Sequence, residues 1–403
     1  MSMIQTPGPQ VGRTNPIAVA ACTLVALFEG IDLQAAGVAA PRLAPALGLK
    51  PADLGWFFSA STFGLMLGAA IGGRLSDRFG RKVSLLCSVL VFGVLSILTG
   101  LSNDLDQLIV TRFLTGVGLG GALPNLLAMV AENTRLDRRR AAVGILYAGL
   151  PCGGALASLV SYFGSDPSDW RMVFYLGGIL PLAALLPLAR ILPAGRATAV
   201  EGGRGGFAEA AFGERRAVAS LVLWGGFFLA LLAMYLLLSW LPSLLIGRGL
   251  ARPDAALVQM AFNLCGAMGS VITGQVMDRG ARRAPVVAGV FSAAAASVAL
   301  ASLAPVSLGT SLAVGAALGA TVSGTQALLY GLAPTLYPRR VRGTGVGIGV
   351  AAGRLGSAAG PMLAGLLLAT GLSPAGVLLT LLPVLGLSGL AAVFLVAKPP
   401  AED

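Results

Sequence analysis

The 403-residue chain contains no histidine, only 11% charged residues, four cysteines and four tryptophans. Without histidine it lacks the side chain that titrates unperturbed near neutral pH, so proton chemistry must rest on perturbed carboxylates. Cys22, Cys87, Cys152 and Cys265 each lie inside an apolar stretch, without the paired spacing of a metal site or a disulfide framework. No metal and no cofactor are expected. Soluble domains average roughly 25% charged residues, and 11% leaves too little polar surface to coat a globule in water. A Gly-rich phosphate loop with Lys and an Asp-rich prenyl-phosphate motif are also missing, which leaves a membrane-embedded enzyme little support. No signalling domain supports a receptor role. Residues 1–16 carry Arg13 but no apolar region, and the first hydrophobic stretch contains Glu29 and Asp32. It therefore reads as an uncleaved first span rather than a signal peptide.

What the chain has instead is 56% hydrophobic residues, 56 glycines and a mean hydropathy of +0.84. Abundant glycine suits helices that pack closely in lipid, where van der Waals contact replaces the hydrophobic drive between helices. A span needs about 20 mostly apolar residues. Twelve runs qualify, near 17–39, 54–73, 83–101, 107–131, 141–163, 172–192, 217–241, 255–277, 285–303, 308–333, 344–369 and 374–397. The expected fold class is an all-α membrane protein with twelve transmembrane helices.

The formal charge of +11 could suit nucleic acid, but its distribution points to a bilayer. Arg and Lys concentrate in alternate loops: Arg74, Arg78, Arg81 and Lys82, then Arg135, Arg138, Arg139 and Arg140, then further clusters near 190–216, 279–283 and 339–342. Twenty-one of the 28 cations fall on that side, five (Arg42, Lys50, Arg171, Arg248 and Arg252) on the other, and Arg112 and Arg354 inside spans. Such asymmetry sets orientation, so both termini are expected in the cytoplasm of a multi-pass protein of the cell inner membrane. No nucleic-acid partner is expected.

The longest inner connection, 193–216, is rich in Gly, Arg and Glu and reads as a flexible linker. It divides the chain into a cytoplasmic tail (1–16), a six-helix half (17–192), the linker, a second six-helix half (217–397) and a short tail (398–403). One pattern recurs in both halves: Gly73, Asp77 and Arg78 in GGRLSDRFGRK, and Gly274, Asp278 and Arg279 in GQVMDRGARR, offset by 201 positions. Repeated halves with a site between them near the bilayer midplane are the architecture of alternating-access transporters.

The segment GGRLSDRFGRK resembles the loop motif of the major facilitator superfamily. That resemblance implies that Gly73, Asp77, Arg78 and Arg81, with Asp278 and Arg279 in the repeat, help latch the halves together. The alternative is that these charges only enforce topology. RFLTGVGLGG, beginning at Arg112, is similar to the family's Arg-plus-Gly motif linked to proton coupling, and YAGLPCGG partially matches the Gly-Pro motif of antiporters and some symporters. FEGIDLQAAGVAAP resembles the D-G-x-D signature of the aromatic acid:proton symporters, with Glu29 in place of the first Asp and Asp32 matching the second. With LGWFFSAS, TGVGLGGALPN and GVGIGVAAGRLGSAAGP, it looks most like the 3-(3-hydroxyphenyl)propionate permeases of that family. The resemblance implies import of a small aromatic carboxylate with protons as the coupling ion, by a chain working as a monomer. A proton-coupled drug or metabolite exporter is the alternative.

An ionisable group within the bilayer is costly enough to mark function by default. Glu29 and Asp32 are spaced i, i+3 and so can face one cavity. Glu29 lies roughly 18 Å along a hydrocarbon core of about 30 Å, and Arg112 enters span four to a depth of about 8 Å, which puts these groups at similar height. Glu29, Asp32 and Arg112 are therefore the expected proton-coupling set, because adjacent carboxylates disfavour simultaneous ionisation while a nearby Arg opposes that effect. Arg354, near mid-depth among small residues, suits a substrate carboxylate through two parallel hydrogen bonds; the alternative is a pairing with a helix end or a buried acid. Asn125, Tyr147, Tyr235, Trp240, Gln326 and Tyr330 lie in spans four, five, seven and ten, which line the cavity in the family resembled. They are candidates to orient an aromatic ring, or else packing residues.

Overall fold

The structure, a computed structural model, describes residues 14–193, 209, 213, 216–278, 283–338 and 340–397. Among these residues, twelve helices are long and apolar enough to cross a membrane. They are α1 (Pro16–Leu47), α2 (Pro51–Phe79), α3 (Arg81–Leu101), α4 (Leu105–Glu132), α5 (Arg139–Phe163), α6 (Trp170–Ile191), α7 (Ala217–Gly247), α8 (Arg252–Asp278), α9 (Arg283–Leu303), α10 (Leu308–Leu332), α11 (Arg342–Ala369) and α12 (Pro374–Val396). A turn at Thr380 interrupts α12. Most of the linker and Arg279 lie outside the described residues, as does the side chain of Asp278.

Every expected run is a helix, but several helices overrun the hydrophobic stretch. α1 is 32 residues long, about 48 Å at 1.5 Å per residue, well beyond a hydrocarbon core of about 30 Å. Local chemistry sets its ends. The Asn15 side chain accepts from the amide of Ala18, Pro16 occupies the first turn, and Gly48 ends the helix at φ 63°. Gly80, at φ 85°, separates α2 from α3.

An even number of spans puts both ends of the helical bundle's chain on one face, here called the terminal end; the opposite face is the distal end. α1–α6 pack mainly among themselves, with α2 on α4, α1 on α5 and α3 on α4 and α6. α7–α12 repeat the arrangement, with α8 on α10, α7 on α11, and α9 on α10 and α12. Glycine permits the close approaches: a methyl at Gly30 would sit 2.8 Å from the Leu150 Cα atom, so α1 and α5 touch backbone to backbone.

The seam between halves is made by α2 on α11, α5 on α8 and α1 on α7, and it is tight at the distal end. Methyls at Gly37, Gly55 and Gly154 would lie 3.0 Å from Ser239 Cα, 3.3 Å from Met362 Cα and 3.0 Å from the Asn263 Nδ2 atom. Hydrogen bonds across the seam gather there. Ser59 donates to the Ala358 carbonyl at 2.7 Å and Gln34 Nε2 to Asn263 Oδ1 at 2.9 Å, while within the second half the Trp240 indole donates to the Pro361 carbonyl at 2.9 Å. Toward the terminal end the same helices diverge. Methyls at Gly73, Gly144, Gly274 and Gly347, on α2, α5, α8 and α11, would meet nothing within 4 Å. The halves are closed distally and parted at the terminal end.

Candidate functional site

The cleft between the halves is built around two charges on opposite walls. Glu29 of α1 is 2% exposed, and its Oε1 atom has no hydrogen-bond partner. Arg354 of α11 lies within electrostatic reach of it, but no ion pair joins them among the described residues. One Arg354 nitrogen donates to the Tyr235 hydroxyl at 2.9 Å, which aims the guanidinium from α7. Tyr147 of α5 and Tyr330 of α10 also lie within electrostatic reach of Arg354. Both tyrosines are exposed, at 46% and 40%, because the terminal side of the cleft is open. Tyr330 packs edge-on to Phe227 with ring centroids 5.1 Å apart. Gln326, one turn earlier on α10 and so on the same face, has its Nε2 donor buried without a partner.

This arrangement separates Glu29 from Asp32. Three residues along a helix turn the side chain by about 60°, and here that angle matters. Asp32 is fully buried inside the first half, where Arg112 Nη1 donates to its Oδ2 at 2.8 Å and Nη2 to its carbonyl oxygen at 3.2 Å. The Ser96 hydroxyl lies 2.7 Å from Asp32 Oδ1 and 3.0 Å from the Phe174 carbonyl oxygen, and the Arg112 guanidinium sits 5.8 Å from the Phe174 ring centre. The similar height expected for Asp32 and Arg112 thus corresponds to an ion pair. A single cavity shared by both carboxylates does not form in this conformation.

Two of the ring-orienting candidates sit elsewhere. Asn125 is buried between α3 and α4, donating to the Ser84 hydroxyl at 3.0 Å and the Gly121 carbonyl at 2.8 Å. Trp240 is 2% exposed in the distal seam, edge-on to Phe58 at 5.2 Å; it roofs the cleft two turns beyond Arg354. Of the latch candidates, Arg81 pairs with Glu132 inside the first half, and Arg78 lies over the Phe79 ring at 5.3 Å. Asp77 is exposed, with no hydrogen bond or ion pair among the described residues, and Gly73 meets open space.

Sequence reasoning missed the polar clasp at the distal seam. Gln259 Nε2 donates to Gln34 Oε1 at 3.0 Å, completing a chain of amides from α1 to Asn263 and Gln259 on α8. The signal was present, since Gln259 and Asn263 stand four apart on one face of an apolar helix.

Two six-helix groups around a cleft that opens to one face, with charges on facing walls, define a secondary transporter of the alternating-access class. The match to the Major Facilitator Superfamily covers residues 22–348 and 248–403, and the chain belongs to that superfamily as a multi-pass inner-membrane transporter rather than an enzyme. It is 40% identical over 395 residues to the 3-(3-hydroxy-phenyl)propionate transporter of Escherichia coli (strain K12), covering 98% of this chain and 97% of that protein. It is 34% identical to the gallate transporter of Pseudomonas putida, over 92% and 88% of the two chains. Among solved structures, a D-xylose-proton symporter aligns with TM-score 0.76 at 18% identity, over 96% and 98% of the chains. A bacterial homolog of the human lysosomal transporter Spinster, in an inward-facing and unoccupied conformation, aligns with TM-score 0.72 at 20% identity, over 97% and 96%.

Proposed function

We propose that the protein imports a small aromatic carboxylate with a proton, by alternating access, with both termini in the cytoplasm. The observation that carries this reading is the pair of facing charges, Arg354 steered by Tyr235 and Glu29 with an unpartnered oxygen. A guanidinium offers a carboxylate two parallel hydrogen bonds. Tyr147, Tyr330 and the free Gln326 donor supply aromatic walls and polar groups for a ring bearing hydroxyls. The relatives named for hydroxylated aromatic acids support the same substrate class.

Coupling follows from electrostatics. With Glu29 ionised, its charge opposes an anion at Arg354; with Glu29 protonated, Arg354 is left to the substrate. Proton and anion therefore favour each other's binding, and the coupling is reciprocal. After the terminal side opens, loss of the proton restores the negative charge and expels the anion toward that side. The empty site then holds Glu29 and Arg354 as opposite charges, which lets it return with little net charge in the bilayer. Asp32 is the lesser candidate for the proton in this conformation, because Arg112 and Ser96 already satisfy its carboxylate.

The test is uptake into liposomes under an imposed inward proton gradient, comparing 3-(3-hydroxyphenyl)propionate, gallate, 4-hydroxybenzoate and benzoate. Accumulation of at least one acid, abolished by a protonophore, supports the reading. Gradient-driven efflux instead would establish an exporter.

A further inference from the structure

Three helices of the second half carry the groups around Arg354. The guanidinium stands on α11, the Tyr235 hydroxyl that accepts its hydrogen bond on α7, and Tyr330 on α10 within electrostatic reach of both. Phe227 of α7 packs edge-on to the Tyr330 ring at 5.1 Å, which ties α10 to α7. Because these helices belong to one half, their groups keep their spacing while the halves rock against each other.

Gln326 adds to this wall a polar group that the fold leaves unused. It lies on the face of α10 that carries Tyr330, one turn or about 6 Å farther from the terminal end. The neighbouring hydroxyls of Thr321 and Thr325 are satisfied within the helix, donating to the carbonyls of Ala317 and Val322 at 2.7 Å each. The Gln326 amide has no such partner. Its Nε2 atom is buried and donates to nothing, while the residue as a whole is only half-buried. A buried donor left unpaired costs free energy, and Leu or Met would fill the same volume of an apolar helix without that cost. The amide is therefore poised to gain from an acceptor brought to it along the cleft.

We infer that Gln326 is a specificity-determining residue that reads a phenolic hydroxyl on the ring of the transported acid. The inference rests on the reading of the cleft as an aromatic-carboxylate site. A hydroxyl both donates and accepts, and a primary amide does the same through its NH2 and its carbonyl. Arg354 takes the carboxylate, and Gln326, fixed in the same half, meets the hydroxyl at a set distance from it. The two residues together act as a ruler across the ligand in every state of the cycle. An acid without the hydroxyl leaves the amide unpaired and is disfavoured on that account.

The test compares matched acids by calorimetric titration: 3-(3-hydroxyphenyl)propionate against 3-phenylpropionate, and 4-hydroxybenzoate against benzoate. In the parent chain the hydroxylated member of at least one pair should bind about tenfold or more tightly than its counterpart. Gln326→Met keeps the unbranched length without the amide, and there the ratio should fall to about twofold or less. The change should come from weaker binding of the hydroxylated acid, with the unsubstituted acid bound as well as before. Gln326→Asn, whose amide stops one methylene short, should lose the ratio too and serves if Gln326→Met does not fold. A loss shared equally by both members of a pair would mark a structural role and overturn the assignment, as would equal affinities in the parent or a preference unchanged in the variants. Failure of the parent to bind any of the four acids would instead overturn the aromatic-carboxylate reading itself.

Discussion

Asp32 and Arg112 meet at 2.8 Å with side chains 0% and 1% exposed, and their ion pair closes within the first half of the protein rather than across the seam. Breaking one partner of such a pair leaves an uncompensated buried charge, which costs about 3 to 5 kcal/mol. Asp32→Asn should therefore lower the thermal unfolding midpoint markedly, and Arg112→Gln should do the same. The double variant Asp32→Asn with Arg112→Gln should recover much of the loss, because it removes the orphan. A double variant that is no better than the worse single one would contradict this account of the pair.

Arg354 is presented to the cleft by the Tyr235 hydroxyl at 2.9 Å. Arg354→Lys retains the charge but loses the planar fork, and a hydrogen bond to a charged group is worth about 1.5 to 3 kcal/mol. Binding of the aromatic acid should weaken by about tenfold to a hundredfold. Tyr235→Phe should weaken it less, since the guanidinium survives and only its aim is lost. Calorimetric titration of each variant decides the matter; affinity unchanged in Arg354→Lys would remove Arg354 from the substrate site.

The amide clasp of Gln34, Asn263 and Gln259 is available only while the distal end is shut. Interhelical hydrogen bonds in membranes average about 0.6 kcal/mol, so removing two with Gln34→Leu should shift the population of distally open molecules by roughly eightfold. Labelling by an impermeant maleimide of a cysteine placed at Ser59, in the same seam, should accelerate correspondingly. Labelling no faster than in the parent would mean that the clasp does not bias the two states.

The twelve spans and the repeat of halves were legible because they rest on long-range statistics: twenty-residue apolar runs and a motif that recurs at 201 positions. The facing of Arg354 and Glu29 was less so, since depth along a helix can be counted but rotation about its axis cannot be fixed by one spacing. Glu29 and Asp32 illustrate this. An i, i+3 pair shares a broad face, but α1 is wedged between its own half and the other, and the remaining rotation sends one carboxyl to the cleft and the other to α3, α4 and α6. Asn125 and Trp240 were misplaced for a related reason. Membership of a cavity-lining helix does not say whether a residue points to the cavity, to a neighbouring helix or to the seam.

The central claim is that protonation of Glu29 is linked to binding of the anion at Arg354. The decisive measurement is the dissociation constant of the aromatic acid as a function of pH, read in the parent chain and in Glu29→Gln. In the parent, affinity should be full at low pH, where Glu29 is neutral, and should fall as pH rises and the carboxylate repels the substrate. Glutamine mimics the protonated acid, so the variant should bind tightly at every pH at which the substrate itself is ionised. It should exchange labelled substrate across a liposome membrane, yet fail to accumulate it under a pH gradient. A Glu29→Gln protein that keeps the parent's pH dependence and still concentrates substrate on a proton gradient would contradict the account and direct the search for the proton to another carboxylate.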